Sequence, residues 1–261
     1  IMAISTASVV EFYLSGAWVD VSVDVLPGLN AEYGIRGSSP HDRTASTGIM
    51  HLTLNNSASN SGGVSGYYSP GHPYARVGFD LNAPARWRVP TVLDGAFAGL
   101  TFERTAFAIG TCARTWMIGT IQSITPSTGM YREKTTAIEV VDWIDVAASV
   151  TTSAGLQLGK RTDQIQNAVL DAMITQPLSR SLAAGDSTFT YALDNVQDES
   201  TLILSVLASL STSEGGFFYI HGDGTAVGER RSGRVLLNSM LLLINTMHGL
   251  EVSRTRQDIF N

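Results

Sequence analysis

The sequence predicts a mainly β chain of the α+β class: an antiparallel β-barrel or sandwich first, then a smaller α+β unit with two helices. Three observations carry this expectation. Up to about Val150, short runs alternate apolar and polar residues with a period of two, between clusters rich in Gly, Pro, Ser and Asn. Stripes with a helical period appear only after Arg161. A glycine-rich turn at His221-Gly222-Asp223-Gly224 then joins two further strand-like runs.

Taken in order, Ser8–Leu14 and Ala17–Val25 are expected as strands around a Ser15-Gly16 turn. In the second, Val19, Val21, Val23 and Val25 oppose Asp20, Ser22 and Asp24, the pattern of one buried and one wet face. Pro27-Gly28 makes a turn, Tyr33–Arg36 a short strand and Gly37-Ser38-Ser39-Pro40 a loop. The strand Thr47–Asn55 places Met50, Leu52 and Leu54 on one face and Ile49, His51 and Thr53 on the other. The Ser/Gly/Asn cluster through Gly63 stops it. A loop follows, Gly66-Tyr67-Tyr68-Ser69-Pro70-Gly71-His72-Pro73-Tyr74-Ala75-Arg76-Val77, whose prolines and glycines fix the path and whose tyrosines supply surface to bury. Ala85–Val89 returns as a strand, and Thr91-Val92-Leu93 continues it or starts the next.

Strands are then expected at Thr101–Ile109, at Thr115–Ile124 with a break at Gly119, and at Thr135–Val141. Thr162 is the expected N-cap of a helix that buries Ile165, Ala168, Val169, Ala172 and Met173 and ends by Pro177. Ser187–Leu193 is a strand. A second helix starts near Asp198–Ser200, buries Leu202, Ile203, Val206, Leu207 and Leu210, and stops at Gly215-Gly216. Phe217–Ile220 and Thr225–Glu229 form a hairpin. Val235–Ile244 is a continuous apolar run whose period does not separate helix from buried strand, and Leu250–Ser253 resembles a strand. The expected division is 1–150, a β domain; 151–248, an α+β domain; and 249–261, the start of a further β segment.

The strand–loop–strand stretch resembles the N-terminal part of phage tail-tip proteins, the tail or baseplate hubs often called minor tail proteins. The residues that carry the resemblance are Leu54-Asn55-Asn56, Tyr68-Ser69-Pro70, His72-Pro73-Tyr74, Arg76-Val77 and Ala85-Arg86-Trp87-Arg88-Val89. Trp18-Val19-Asp20-Val21-Ser22 and Ile35-Arg36-Gly37 fit the family's opening. Ile118-Gly119-Thr120-Ile121 and Ile138-Glu139-Val140-Val141-Asp142 match later strands imperfectly, and Gly216–Gly224 resembles its closing hairpin. The resemblance implies a tail-tube-like first domain and a structural signature loop of Tyr68, Pro70, Pro73, Tyr74, Arg76 and Trp87. Tyr68, Pro70, Pro73 and Tyr74 are expected to pin that loop to the β unit, with Trp87 nearby.

Composition sets outer bounds. Only 15% of the 261 residues are charged, against about 25% in an average soluble domain. That points to surface given over to subunit contacts. The net charge of -6 and the absence of a long basic stretch argue against a nucleic-acid grip. A single cysteine, Cys112, excludes an intrachain disulfide and a cysteine zinc site, and is expected to be inert. No run reaches the roughly 20 apolar residues of a membrane-spanning helix. No basic-then-apolar leader opens the sequence. Ile1 precedes Met2 and Asp258-Ile259-Phe260-Asn261 carries no stop signal, so a segment of a longer product is expected.

No constellation of catalytic, cofactor-binding or metal-ligating residues emerges. Gly222-x-Gly224-x-x-x-Gly228 is out of register for a dinucleotide fingerprint and joins two strands. His221 with Asp223 lacks a third ligand nearby, and His41, His51, His72 and His248 lie in unrelated contexts. Gly185-Asp186-Ser187 lacks the nucleophile elbow of a serine hydrolase. Glu11, Glu103, Glu139 and Glu214 are scattered, so no glycosidase pair is formed. Asn55-Asn56-Ser57 fits a glycosylation sequon that nothing else supports. Tyr67, Tyr68, Tyr74 and Trp87 suit either a loop staple or a sugar platform.

The resemblance implies a non-enzymatic virion protein at the tail tip, without cofactor. It implies a homotrimeric ring that caps or adapts the tail tube, contacts the tube or distal tail ring and the tape-measure or tip-fibre proteins, and opens for genome passage. A lumen lined by polar or acidic residues of the first domain is expected, with Arg86 and Arg88 kept for subunit contacts, because phosphates held by arginine would arrest the DNA. Three alternatives stay open: a hexameric distal tail ring protein, a carbohydrate- or receptor-binding β module, and a tail-associated hydrolase whose activity resides in an extension.

Overall fold

The computed structural model describes residues 8–36, 42–91, 112–127, 134–193 and 201–232. Twelve strands and three α-helices lie among them. The strands of the first part are β1 (Val9–Leu14), β2 (Ala17–Asp20), β3 (Asn30–Gly34), β4 (Ser46–Asn55), β5 (Pro84–Thr91), β6 (Cys112–Pro126) and β7 (Thr135–Val141). They form one seven-stranded antiparallel sheet in the order β2-β1-β5-β6-β7-β4-β3. On β4, Met50, Leu52 and Leu54 are buried while His51 is exposed, as the alternation predicts.

Strand pairing does not close this sheet into a barrel among the described residues. The chain itself spans the opening. Val21 N donates to Val10 O beside β1, and Val25 bridges Leu54 on β4. Four extended residues reach at most about 14 Å, so the sheet curls until its two flanks nearly meet. The core lies inside the curl: Val10, Phe12, Leu14, Val21, Met50, Leu54, Tyr68, Phe79, Ile121 and Val140 are all buried there.

The expected strand Ala17–Val25 ends early, at Asp20. Asp20 Oδ1 accepts from Ser22 N at 2.8 Å, and Ser22 Oγ accepts from Val10 N at 2.8 Å. These local bonds compete with the ladder and wind Ser22–Asp24 into a 3-10 turn. The expected break at Gly119 is absent, and β6 runs through it. A Cβ at Gly119 would sit 2.0 Å from Val141 O, so this glycine permits a close strand approach and does not end the strand.

The second part comprises α1 (Trp143–Ser149), β8 (Gln157–Arg161), α2 (Thr162–Asp171), β9 (Ser179–Leu182), β10 (Thr188–Ala192), α3 (Ile203–Glu214), β11 (Phe217–Ile220) and β12 (Thr225–Glu229). β11-β12-β9 form a three-stranded sheet in which β9 runs parallel to β12, and β10 pairs with β8 as a separate ribbon. α1 was not expected; it starts because Asp142 accepts from Ile144 N at 3.0 Å as an N-cap. Thr162 is not the cap of α2: Arg161 takes that place, with its backbone N–H held by Gln164 Oε1. α2 ends at Asp171, before Pro177; the Leu170 carbonyl accepts from Met173 N at 3.1 Å and from Gln176 Nε2 at 2.7 Å, which closes the last turn. Leu202, expected in the core, caps α3 and is 41% exposed. Gly215 ends α3 in the left-handed region, at φ 73°.

A second core gathers Ile144, Ala147, Ile165, Val169, Leu170, Leu207, Leu210 and Phe218. It also takes Ala45, from the entry to β4. Ala45 N donates to Phe218 O and Phe218 N to Arg43 O, both at 2.9 Å, and Arg43 Nη1 donates to Gly215 O at 2.6 Å. The two cores are thereby tied at one backbone junction. The expected elements at Thr101–Ile109, Val235–Ile244 and Leu250–Ser253 lie outside the described residues, as do the start of the second helix near Asp198–Ser200 and the last residues, Asp258–Asn261. No described helix is long and apolar enough to cross a membrane.

Candidate functional site

The residues singled out between Asn56 and Ala83 build a loop with a buried root and an exposed tip. Tyr68 is the root. Its ring is fully buried, 5.3 Å from Phe79 and 5.1 Å from Tyr67, both edge-on. Its hydroxyl donates to Asp24 Oδ2 at 2.6 Å and accepts from Arg76 Nη1 at 2.8 Å. Burial, followed by the hydrogen bond to the Asp24 carboxylate, pushes the phenol well above its ordinary range, so it remains a donor. The Arg76 guanidinium lies 5.3 Å over the Tyr67 ring and 5.8 Å over the Tyr68 ring.

Asp24 is buried and accepts three donors: Tyr68 Oη, Ser61 N at 2.8 Å and Ser61 Oγ at 2.5 Å. Asn56, also buried, accepts from Tyr68 N at 2.7 Å and donates to Ser69 Oγ at 2.7 Å. Thr136 Oγ1 on β7 donates to Tyr68 O at 2.9 Å. The 3-10 turn, the end of β4, the loop and β7 therefore meet at one tyrosine, with their polar atoms paired out of water.

Pro70, Pro73 and Tyr74 do not pin the loop. All are exposed, Tyr74 by 64%. Tyr74 instead lies 5.8 Å from His72, and its N–H donates to His72 Nδ1 at 3.3 Å. The exposure of Pro70, Pro73 and Tyr74 has a simple cause: the residues between Gly66 and Ala75 form successive tight turns, with Ser69 N bonded to Gly66 O and His72 N to Ser69 O, which carry Pro70 through Tyr74 away from the sheet. Trp87 is half-buried and packs on the same core from β5, 6.0 Å from Trp116. A shared sugar platform is thereby lost, since Tyr68 is inside and Tyr67 and Trp87 are half-covered.

Asp24 and Asn56 were missed as site residues. Asp24 falls on the polar side of the predicted strand, and only the 3-10 turn directs it inward. Asn56 follows a strand end, where a turn residue is expected.

Arg86 and Arg88 are engaged within their own chain. Arg86 Nε donates to Glu11 Oε2 at 2.6 Å, Arg88 Nη1 donates to the same oxygen at 3.3 Å, and the Arg86 guanidinium lies 4.1 Å over the Trp18 ring. The Arg86 bond holds the Glu11 carboxyl below its usual range. In the second part, buried Glu214 accepts from Thr162 Oγ1 at 2.7 Å, Asp186 N at 2.6 Å and Ser187 N at 3.3 Å. Gly185-Asp186-Ser187 is thus a loop held by a carboxylate. His221 and Asp223 pair at 3.1 Å in the exposed β11–β12 turn. Among the described residues no group of three or more His, Cys, Asp or Glu is arranged to hold a metal.

No protein-family model and no curated protein matches this sequence. Solved structures do. A 43 kDa tail protein of prophage MuSo2 from Shewanella oneidensis aligns at 12% identity and a TM-score of 0.49, over 86% of this chain and 56% of that one. A tail protein from Neisseria meningitidis aligns at 11% identity and a TM-score of 0.49, over 85% and 51%. An Escherichia coli component of the type VI secretion system, described as structurally similar to T4 bacteriophage tail proteins, aligns at 10% identity and a TM-score of 0.38, over 86% and 45%. The chain spans about half the length of these structures.

Proposed function

We propose that this chain is part of a structural subunit of a phage-type tail tip, a hub that continues the tail tube and closes it until the genome passes. One observation carries the reading. Three of the segments on which the sequence resemblance to tail-tip hubs rests are wired into one network around buried Tyr68: Asn56 from the end of β4, Tyr68 with Ser69, and Arg76, while His72-Pro73-Tyr74 stays exposed outside it. A signature of that kind marks a scaffold element, since its residues satisfy one another and offer no free group for chemistry.

Function in this reading is assembly. Copies form a homotrimeric ring in which the outer face of the curled sheet and the exposed loop tip face neighbours. The division into a tube-like domain at 1–150, an α+β domain at 151–248 and a further β segment from 249 belongs to the same proposal. So do the absence of enzymatic activity, the tail-tube, distal-ring and tape-measure or fibre contacts, and a lumen that lets DNA pass without holding it. Opening on host contact is a switch between two packings of the ring interface. Gold-labelled antibody against this chain, applied to particles that carry it, tests the placement. Label at the distal end of the tail supports the reading, and label along the shaft or on the capsid overturns it.

A further inference from the structure

On the outer face of the first sheet, β4, β7 and β6 carry a hollow of about 320 Å³. The register builds it from two cross-strand rows, His51-Glu139-Ser123 and Thr53-Ala137-Thr125. Ala137, too small to fill its place, is the floor, and hydroxyls, an imidazole and a carboxylate frame it. A β-bulge at Gln122 sets the frame. It reverses the alternation of β6, so that Ile121 and Ile124 pack on the core while Ser123 and Thr125 face outward.

Glu139 is half-buried in this frame, and among the described residues it is the one carboxylate that enters no hydrogen bond or ion pair. By contrast, Glu11 and Asp171 hold arginines, and Asp24 and Glu214 hold hydroxyls and backbone amides. The sequence holds two lysines, Lys134 and Lys160. Both are exposed, and neither ammonium meets an acid among the described residues.

In the ring proposed above, the outer face of the sheet meets a neighbour. A carboxylate covered there without a cation would be an uncompensated buried charge, which is strongly unfavourable. The neighbouring copy must bring the cation, and matched charges of this kind also fix the register of a contact. Lys134 directly precedes β7, the strand that carries Glu139. Exchange of Lys134 and Glu139 between two copies would be reciprocal, an isologous contact that closes at two. Lys160 lies on β8, in the other part of the chain, so its contact is heterologous and can close a ring of three. We propose that Lys160 of one copy enters the hollow over Ala137 of the next and pairs with Glu139, while the hydroxyls of Thr53, Ser123 and Thr125 accept its remaining N–H groups. The inference rests on the ring reading.

A carbodiimide, which joins a carboxylate to an amine in contact with it and adds no spacer, tests this on assembled particles that carry the chain. The expected product is a Glu139–Lys160 amide identified by peptide mass spectrometry, with chains linked up to the trimer on a denaturing gel. Lys160→Arg keeps the charge and removes the amine, so particles should still assemble while the link vanishes. Glu139 joined to Lys134, to Lys160 of its own chain or to a different protein overturns the contact. Where the gold label still marks the distal end of the tail, the tail reading survives that failure; label elsewhere overturns both. Charge reversal covers a pair that the reagent does not reach. Glu139→Lys and Lys160→Glu are each expected to lower assembly by about tenfold or more, and together to restore it, with the melting of each isolated chain unchanged. Single variants that assemble as well as the parent, or a double variant no better than either, overturn the proposal whatever the reagent finds.

Discussion

The hydroxyl of Tyr68 and the carboxylate of Asp24, 44 residues apart in sequence, meet at 2.6 Å inside the first core. The contact closes the loop onto the 3-10 turn that spans the opening of the curled sheet. Removing the ring by Tyr68→Ala is expected to cost about 3–5 kcal/mol. Tyr68→Phe keeps the ring but strips the Asp24 and Arg76 groups of a partner, at about 1–3 kcal/mol. Tyr74→Ala, at an exposed position, is expected to change stability by no more than about 0.5 kcal/mol. Denaturant melts of the three variants check the order, and a Tyr74 effect as large as that of Tyr68→Ala would show that the root of the loop is misplaced.

Asp24 accepts three donors, and an amide in its place can accept with one oxygen only. Asp24→Asn is therefore expected to destabilise by about 2–3 kcal/mol although it is neutral and nearly isosteric. A double-mutant cycle with Tyr68→Phe should show coupling, because both variants remove one shared bond. Additive effects in chemical denaturation would separate the two residues.

Glu214 ties the loop at Asp186 and Ser187 to the C-terminal end of α3. Glu214→Ala leaves Thr162 Oγ1 and two backbone amides without their acceptor. A loss of about 2–4 kcal/mol is expected, with the largest rise in amide exchange at residues 185–188. Unchanged exchange there would show that the carboxylate does not hold the loop.

Asp142 predicts a pH dependence. Burial raises its carboxyl to about 6, against the lowering effect of its backbone hydrogen bonds with Gly48 and Ile144; Asp145 adds to the rise and Arg36 opposes it. The folded state thus holds the proton more tightly than the unfolded chain does. The stability contributed by this group is complete below about pH 4, the ordinary range of an aspartate, and is lost as pH rises through about 6. The loss is on the order of 3 kcal/mol. Asp142→Asn keeps an oxygen for the Ile144 amide and removes the titration, so the difference in unfolding free energy between pH 4 and pH 7 should shrink in that variant. An identical slope in both proteins would assign the dependence elsewhere.

Much of the fold was legible because its signals are local. The alternation at Met50, Leu52 and Leu54 and the hairpin around His221–Gly224 each require only near neighbours, and both elements stand where the pattern placed them. What was not legible depends on partners far along the chain. The early end of β2 follows from bonds that Asp20 and Ser22 make, and Asp24 acquires its role only when Tyr68 and Ser61 arrive. Gly119 has the composition of a break, yet its cause is the carbonyl of Val141 on the next strand. Within the loop, Tyr68 and Tyr74 are chemically alike, and only the succession of turns between them sends one inward and the other out.

The central claim concerns a ring at the tail tip, and its symmetry is the most direct test. A reconstruction of the assembled particle, refined at its tail end without imposed symmetry, should resolve three copies of this chain around the tube axis, with the β1–β7 sheet continuing the tube wall. Six copies at that position would contradict the hub in favour of a distal ring. A chain that is absent from the tip and monomeric in solution would contradict the tail account altogether.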